Sequence, residues 1–213
     1  MTDQWAFPSR EIVLENDKVK LTSVDILQDL DPLFDAASLQ TNGEDLFRYH
    51  VNVPPMDSIT TFERYLTRKA SLSTEVMYKV FSKRIDSIVG CASLMNVKIE
   101  HGTIEVGSIW YTKAAQKTEI NTNAMLLLFS YVFDELKYRR LEWKCNDRNE
   151  DSKRAAIRLG FEFEGLFRQH FVSRGENRDT AWFSIVDKEW GEKKRNLEDK
   201  AGRAFRSAVP GRP

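Results

Sequence analysis

With 213 residues, the chain is long enough for one domain with a substantial core, and two full domains would be a squeeze. Lysine plus arginine equal aspartate plus glutamate at 32 each, and this zero balance argues against a nucleic-acid protein whose affinity rests on a basic surface. The first residues lack the basic-then-apolar pattern of a secretory signal, no stretch approaches a membrane span, and Cys91 and Cys145 lie in apolar runs, so a soluble, cytoplasmic protein with reduced core thiols is expected.

In chain order, residues 1–11 read as a polar, irregular extension. "DKVKLTSVD" alternates Val19 and Leu21 with polar neighbours, a strand period. The pattern turns helical from 24 to 39, and Pro32 is placed to open a second helix at its first turn. "NGEDLFRYHVNVPPMDS" reads as a loop through Asn-Gly and Pro-Pro, and carries the bulky Phe47, Arg48 and Tyr49. Asp57 or Ser58 can cap the helix that follows, with Phe62, Tyr65, Leu66 and Lys69 at helical spacing. "VMYKVFSK", "SIVGCASLMNVKIE" and "GTIEVGSIWYT" predict three strands in an antiparallel meander.

"INTNAMLLLFSYVFDELKYR" predicts a long apolar helix, capped by Asn121 or Thr122 and carrying positive charge near its end. "RLEWKCN" is a strand, and a short helix then ends at Gly160 as a left-handed residue. "FEFEGLFRQHFVS" and "RDTAWFSIVD" are two strands around a turn at Gly175. The charged tail from 191 to 213 is expected to be partly helical or disordered, with the domain proper over 12–190. The step from "IEVGSIWY" through the apolar helix to "RLEWKC" requires a parallel, right-handed crossover, which sets a helix N-terminus beside a strand's C-terminal end. Anionic ligands bind at such places. The helix cap itself needs no ligand, however, and a plain capped helix is the competing reading.

Read together, these segments resemble a GNAT-superfamily N-acetyltransferase of the RimJ/RimL-type branch. That family's cofactor loop, Gln/Arg-x-x-Gly-x-Gly/Ala, corresponds to Gln116-Lys117-Thr118-Glu119-Ile120-Asn121. Its next element, Asn-x-x-Ser followed by Leu-Gly-Phe and Glu-Gly, reads Asn149-Glu150-Asp151-Ser152, then Leu159-Gly160-Phe161, then Glu164-Gly165. "GENRDTAWFSIVDKEW" resembles the closing hairpin, and "LFRYHVNVPPMDS" the substrate-side loop, so the likeness spans most of residues 18–190 in order. The resemblance implies an α/β (α+β) GNAT fold: a mixed, mostly antiparallel sheet of six to seven strands, flanked by helices, with a central splayed parallel pair.

It also implies acetyl-CoA as donor, a primary amine as acceptor (a protein N-terminus or a small molecule), and direct attack on the thioester without a metal. The pyrophosphate would meet backbone amides of Lys117, Thr118, Glu119, Ile120, Asn121 and Thr122. Asn149 would bond the pantetheine arm, and Ser152, on the same helix face, would protonate the leaving thiolate; capping of the helix by Asn149 is the alternative. Glu105 is the candidate base. Backbone N–H groups of Ile109 and Tyr111 would polarise the thioester carbonyl. By strand alternation Glu105 is expected to face opposite Val106 and Ser108. Phe47, Arg48, Tyr49 and Trp110 are the acceptor-side candidates, although aromatic residues also build cores. Lys153 and Arg154 are candidates for the nucleotide 3′-phosphate, with a solvated helix face as the plainer role. His50, His101 and His170 show no metal-ligand spacing.

The chain departs from the pattern where Glu119 and Asn121 replace two glycines, and Glu119 is expected to point to solvent, away from a polyanion. That departure motivates a competing reading: a non-catalytic acyl-CoA-binding or protein-interaction domain. Monomer and homodimer both remain open.

Overall fold

The computed structural model describes residues 5–38, 46–51, 53 and 57–206. The Asn-Gly at 42–43, the Pro-Pro at 54–55 and the last residues of the tail lie outside the described residues. The elements run β1 (Val13–Glu15), β2 (Val19–Ser23), α1 (Ile26–Ser38), α2 (Ile59–Ala70), β3 (Val76–Ser82), β4 (Ser87–Lys98), β5 (Thr103–Tyr111) and α3 (Glu119–Ser130). After a π-helical turn, Tyr131–Glu135, come β6 (Arg140–Asn146), α4 (Glu150–Arg158), β7 (Glu162–Ser173), β8 (Glu176–Val186) and α5 (Asp187–Arg206). The strands form one sheet in the order β1-β2-β3-β4-β5-β6-β8-β7. Every neighbouring pair is antiparallel except β5–β6. This is the GNAT fold, with eight strands rather than six or seven. The additional strand, β1, is three residues long and too short to show a period.

Each face of the sheet is covered by helices. On one face the core gathers Val106, Tyr111, Leu128, Phe129, Trp143, Phe183, Trp190 and Leu197 from the strands, α3 and α5. On the other, Leu33 of α1 and Phe62 and Leu66 of α2 pack with Phe47, Met77, Cys91 and Trp110. Each fully buried Leu or Phe contributes about 1.5–3 kcal/mol through removal from water. α3 lies between sheet and α5, which is why it is apolar on nearly every side. α5 runs on from β8 across position 190, and Leu197 is buried in the core. Both cysteines are buried free thiols.

Pro32 lies inside α1 and does not start a second helix. A helix over 26–38 buries Leu33, Ala36 and Ala37 together, and that packing overrides the local penalty of the proline. Ser58 caps α2, its hydroxyl accepting from the Thr61 N–H at 3.2 Å. Gly160 ends α4 at φ 100°, a conformation an L side chain rarely adopts.

Candidate active site

The parallel pairing of β5 with β6 covers only Thr103 with Arg140, Ile104 with Leu141 and Glu105 with Glu142. Beyond Glu105 the strands separate, because β5 stays bonded to β4 as far as Tyr111 while β6 follows β8 as far as Asn146. A cleft of about 1860 Å³ opens at this gap. Its walls are the outer half of β5, the end of β6, the first turn of α3, one face of α4 and a stripe of α2. The Thr112 N–H donates to Val89 O on β4, so backbone alternation turns the Tyr111 N–H to the other edge of the strand, into the gap. Ile109 also lines the cleft.

At the start of α3 the cap is Thr118, whose hydroxyl accepts from the Ile120 N–H at 3.3 Å; Asn121 and Thr122 lie inside the first turn and do not cap. The Ile120 amide is therefore already partnered, and its side chain is in the core rather than on the cleft. The amides of Glu119 and Asn121 have no carbonyl one turn back, as at any helix start. The left-handed residue that aims this loop is Lys117, at φ 58°, not Asn121. Glu119 does not point to solvent either: its side chain is 11% exposed and pairs with Arg84 at 3.6 Å, which neutralises a negative charge at the site. Lys117, Thr118, Glu119, Asn121 and Thr122 all line the cleft. The buried Asn121 Oδ1 and Tyr111 hydroxyl have no hydrogen-bond partner among the described residues.

On the facing wall, Asn149 is the N-cap of α4, its Oδ1 accepting from the Ser152 N–H at 3.1 Å. Capping thus uses the carbonyl oxygen and leaves the side-chain amide as a donor toward the cleft that Asn149 lines. The Ser152 hydroxyl accepts from Trp143 Nε1 at 3.0 Å, so its own proton can be donated. Burial pushes the nearby Cys145 thiol up, partly offset by a hydrogen bond with Ser152. Lys153 pairs with Glu150 and Asp147 away from the cleft, whereas Arg154 lines it.

Glu105 is 5% exposed and lines the same cleft. Burial raises its carboxyl above the ordinary glutamate range, against the opposing pull of Lys144 and Asn96. Both of those partners donate to Oε2, each at 2.7 Å. Glu105 does face opposite Val106, but the alternation breaks at Ser108, whose φ of 51° accompanies a register shift against β4. As a result Val106 and Trp110 pack in different clusters on opposite faces of the sheet. Ser108 instead accepts from Lys69 Nζ at 2.7 Å, and Lys69 also pairs with the buried Glu75 at 2.7 Å.

Arg48, Tyr49 and Trp110 line the cleft, with the Arg48 guanidinium 4.5 Å from the Tyr49 ring centroid. Phe47 does not line it. It is 1% exposed and packs edge-on against Trp110 beneath the wall. Several cleft residues escape a reading by motif. Lys144 is fixed by tertiary contact with Glu105. Arg158 donates to Thr122 Oγ1 at 2.6 Å, tying α4 to α3, and burial holds it below the ordinary arginine range. Its spacing of four residues from Arg154, which lines the same cleft, is the available signal. Tyr65, Arg68 and Lys69 form the α2 stripe, whose helical spacing is visible but whose facing is not.

A family model described as "Acetyltransferase (GNAT) domain" matches residues 20–162. The chain belongs to the GNAT acetyltransferase family. A solved GCN5-related N-acetyltransferase from Brucella melitensis is 36% identical, with TM-score 0.87, covering 92% of this chain and 88% of that one. A Bacillus subtilis protein named as a ribosomal N-acetyltransferase, YdaF, is 32% identical over 50% of this chain and 58% of its own length. The ribosomal-protein-serine acetyltransferase of Escherichia coli is 26% identical over 52% of this chain and 61% of its own length. The match thus spans about three fifths of these two curated relatives, and their names agree with the RimJ/RimL-like branch of the GNAT family. No helix among the described residues is long and apolar enough to cross a membrane.

Proposed function

We propose that the protein transfers an acetyl group from acetyl-CoA to a primary amine. The observation that carries this reading is the splayed β5–β6 gap, with unpartnered α3 amides on one wall and Asn149 and Ser152 on the other. The residues present suit such a ligand. The amides of Glu119 and Asn121, the helix dipole, and nearby Lys117 and Arg158 favour a pyrophosphate. The orphaned Asn121 Oδ1 and Tyr111 hydroxyl are unsatisfied polar atoms in residues that line the same cleft. Bound acetyl-CoA supplies the thioester that the amine attacks. Asn149 holds the pantetheine arm through its side-chain amide, and the Tyr111 N–H polarises the carbonyl. Glu105, through Oε1, takes the proton of the amine, directly or through one water. Ser152 delivers a proton to sulfur. Two buried free thiols suit a reducing compartment, and we place the protein in the cytoplasm.

The test is release of free CoA thiol from acetyl-CoA with a panel of primary amines. Turnover is expected, with kcat lowered about 100-fold or more in Glu105→Gln and in Ser152→Ala while acetyl-CoA affinity is retained. Unchanged turnover in both variants removes these roles. Saturable acetyl-CoA binding without transfer to any amine would favour the non-catalytic reading.

A further inference from the structure

Arg178 stands near the start of β8, on the same face as Thr180 and Trp182, by strand alternation. β6 ends at Asn146, opposite Thr180, so Arg178 lies just past the end of β6, where the cleft opens. It is 7% exposed, and its Nε is buried without a hydrogen-bond partner. Its hydrogen bond to the Tyr49 carbonyl oxygen is long, 3.4 Å from a terminal nitrogen, and the guanidinium carbon stands 5.7 Å from the Phe171 ring centroid. Among the described residues no carboxylate forms an ion pair with it. Burial holds the guanidinium below the ordinary arginine range, and the Cys145 thiol and Glu105 oppose this only in part. A buried charge left without a counter-ion is strongly unfavourable, and an arginine fork matches a carboxylate or phosphate in two parallel bonds.

Arg48, Arg64 and Arg68 also line the cleft, and none forms an ion pair among the described residues, whereas the cleft carboxylates Glu75 and Glu105 are already paired with Lys69 and Lys144. The loop that carries Tyr49 is held over this end by Arg174, which donates to the carbonyl oxygens of Phe47 and Val53. The α3 end of the cleft has its own cations for a pyrophosphate, so this second group is in excess of what the donor needs.

Resting on the acetyl-transfer reading, we infer that the acceptor is a small primary amine carrying an anionic group, carboxylate or phosphate, which Arg178 binds. Arg178 is thus a specificity residue, and polycationic amines are excluded by the same arginines.

The experiment compares matched amines with the wild-type protein: phosphoethanolamine against ethanolamine, serine against serinamide, and spermidine as the polycation. The phosphate and carboxylate arms separate the two anions. The expected result is a kcat/KM for at least one anionic amine about 30-fold or more above its neutral partner, the scale of a buried charge contact. Arg178→Met should abolish that preference through KM, Arg178→Lys should restore part of it, and acetyl-CoA affinity should be unchanged in both. Equal use of charged and neutral amines, preference for spermidine, or an anion preference that survives Arg178→Met overturns the inference. So does a protein that binds acetyl-CoA and acetylates none of the anionic amines. Failure to bind acetyl-CoA at all overturns the acetyl-transfer reading instead.

Discussion

The two carboxylate oxygens of Glu105 keep different company. Lys144 and Asn96 hold Oε2, and Oε1 accepts from no side chain among the described residues. Burial favours the protonated carboxyl, so a base at this position works only above its raised native value. The predicted kcat/KM–pH profile therefore has an acid limb above the ordinary glutamate range, and Glu105→Gln abolishes that limb along with most of the rate. The proposed contact of Asn149 with the pantetheine arm can be separated from its capping of α4 by one substitution. Asparagine and aspartate cap equally well, so Asn149→Asp should leave thermal stability near wild type but weaken acetyl-CoA binding about tenfold by placing a charge where a donor stood. Asn149→Ala should cost about 1 kcal/mol of stability as well, from the lost bond to the Ser152 N–H. Equal acetyl-CoA titrations for all three proteins would reduce Asn149 to a cap. Glu105, Asn149 and Ser152, which line one cleft, were singled out through the family resemblance, whose motifs fall beside a turn or strand end. Their partners were not, since Lys144 reaches Glu105 and Trp143 reaches Ser152 from a separate strand.

At the scale of elements, the crossover β5–α3–β6 was readable from period and length, because only a parallel connection needs so long a return. The splay of the two strands was expected through the family resemblance alone, since it arises from their separate loyalties to β4 and β8. The break at Ser108 escaped for a related reason: a left-handed serine leaves no mark in the hydrophobic pattern. Pro32 departs from the proline preference for helix starts because tertiary packing holds it inside α1. Its ring removes the donor that would reach the Gln28 carbonyl and crowds that turn. Pro32→Ala is predicted to stabilise the protein by up to about 3 kcal/mol, measured as a rise in the urea midpoint at unchanged slope. A lower midpoint would mean that α1 is bent to fit the proline.

At the scale of the molecule, a neutral total charge conceals a cleft rich in cations and a set of ion pairs elsewhere. Arg140 binds Glu142 at 2.8 Å and Glu164 at 2.5 Å, joining β6 to β7 across β8. The hydrogen bond to Arg140 holds Glu164 below the ordinary carboxylate range; Glu142 is also lowered, burial opposing and Lys144 and Arg140 prevailing. Depressed carboxyls stabilise the fold above their unfolded values, and that stability is lost as pH falls through the native ones. Glu105, raised by burial, runs in the opposite sense. Thermal melts should therefore fall off below about pH 4, and Arg140→Met should flatten that fall while lowering stability at neutral pH. The contribution is modest, because Glu164 is 41% exposed and solvent screens it. The end of the cleft proposed for the acceptor was the least legible part of the sequence, since α2, the loop around Tyr49 and β8 meet there only in the folded chain.

The most direct test of the central claim, that the β5–β6 gap holds acetyl-CoA, is calorimetric titration of the full chain with acetyl-CoA. The predicted result is saturable binding near the micromolar range, about −8 kcal/mol, weakened by Asn149→Asp. A folded sample that shows no saturable heat would contradict it, and would mean that the Glu119–Arg84 pair and Asn121 have closed the pyrophosphate site.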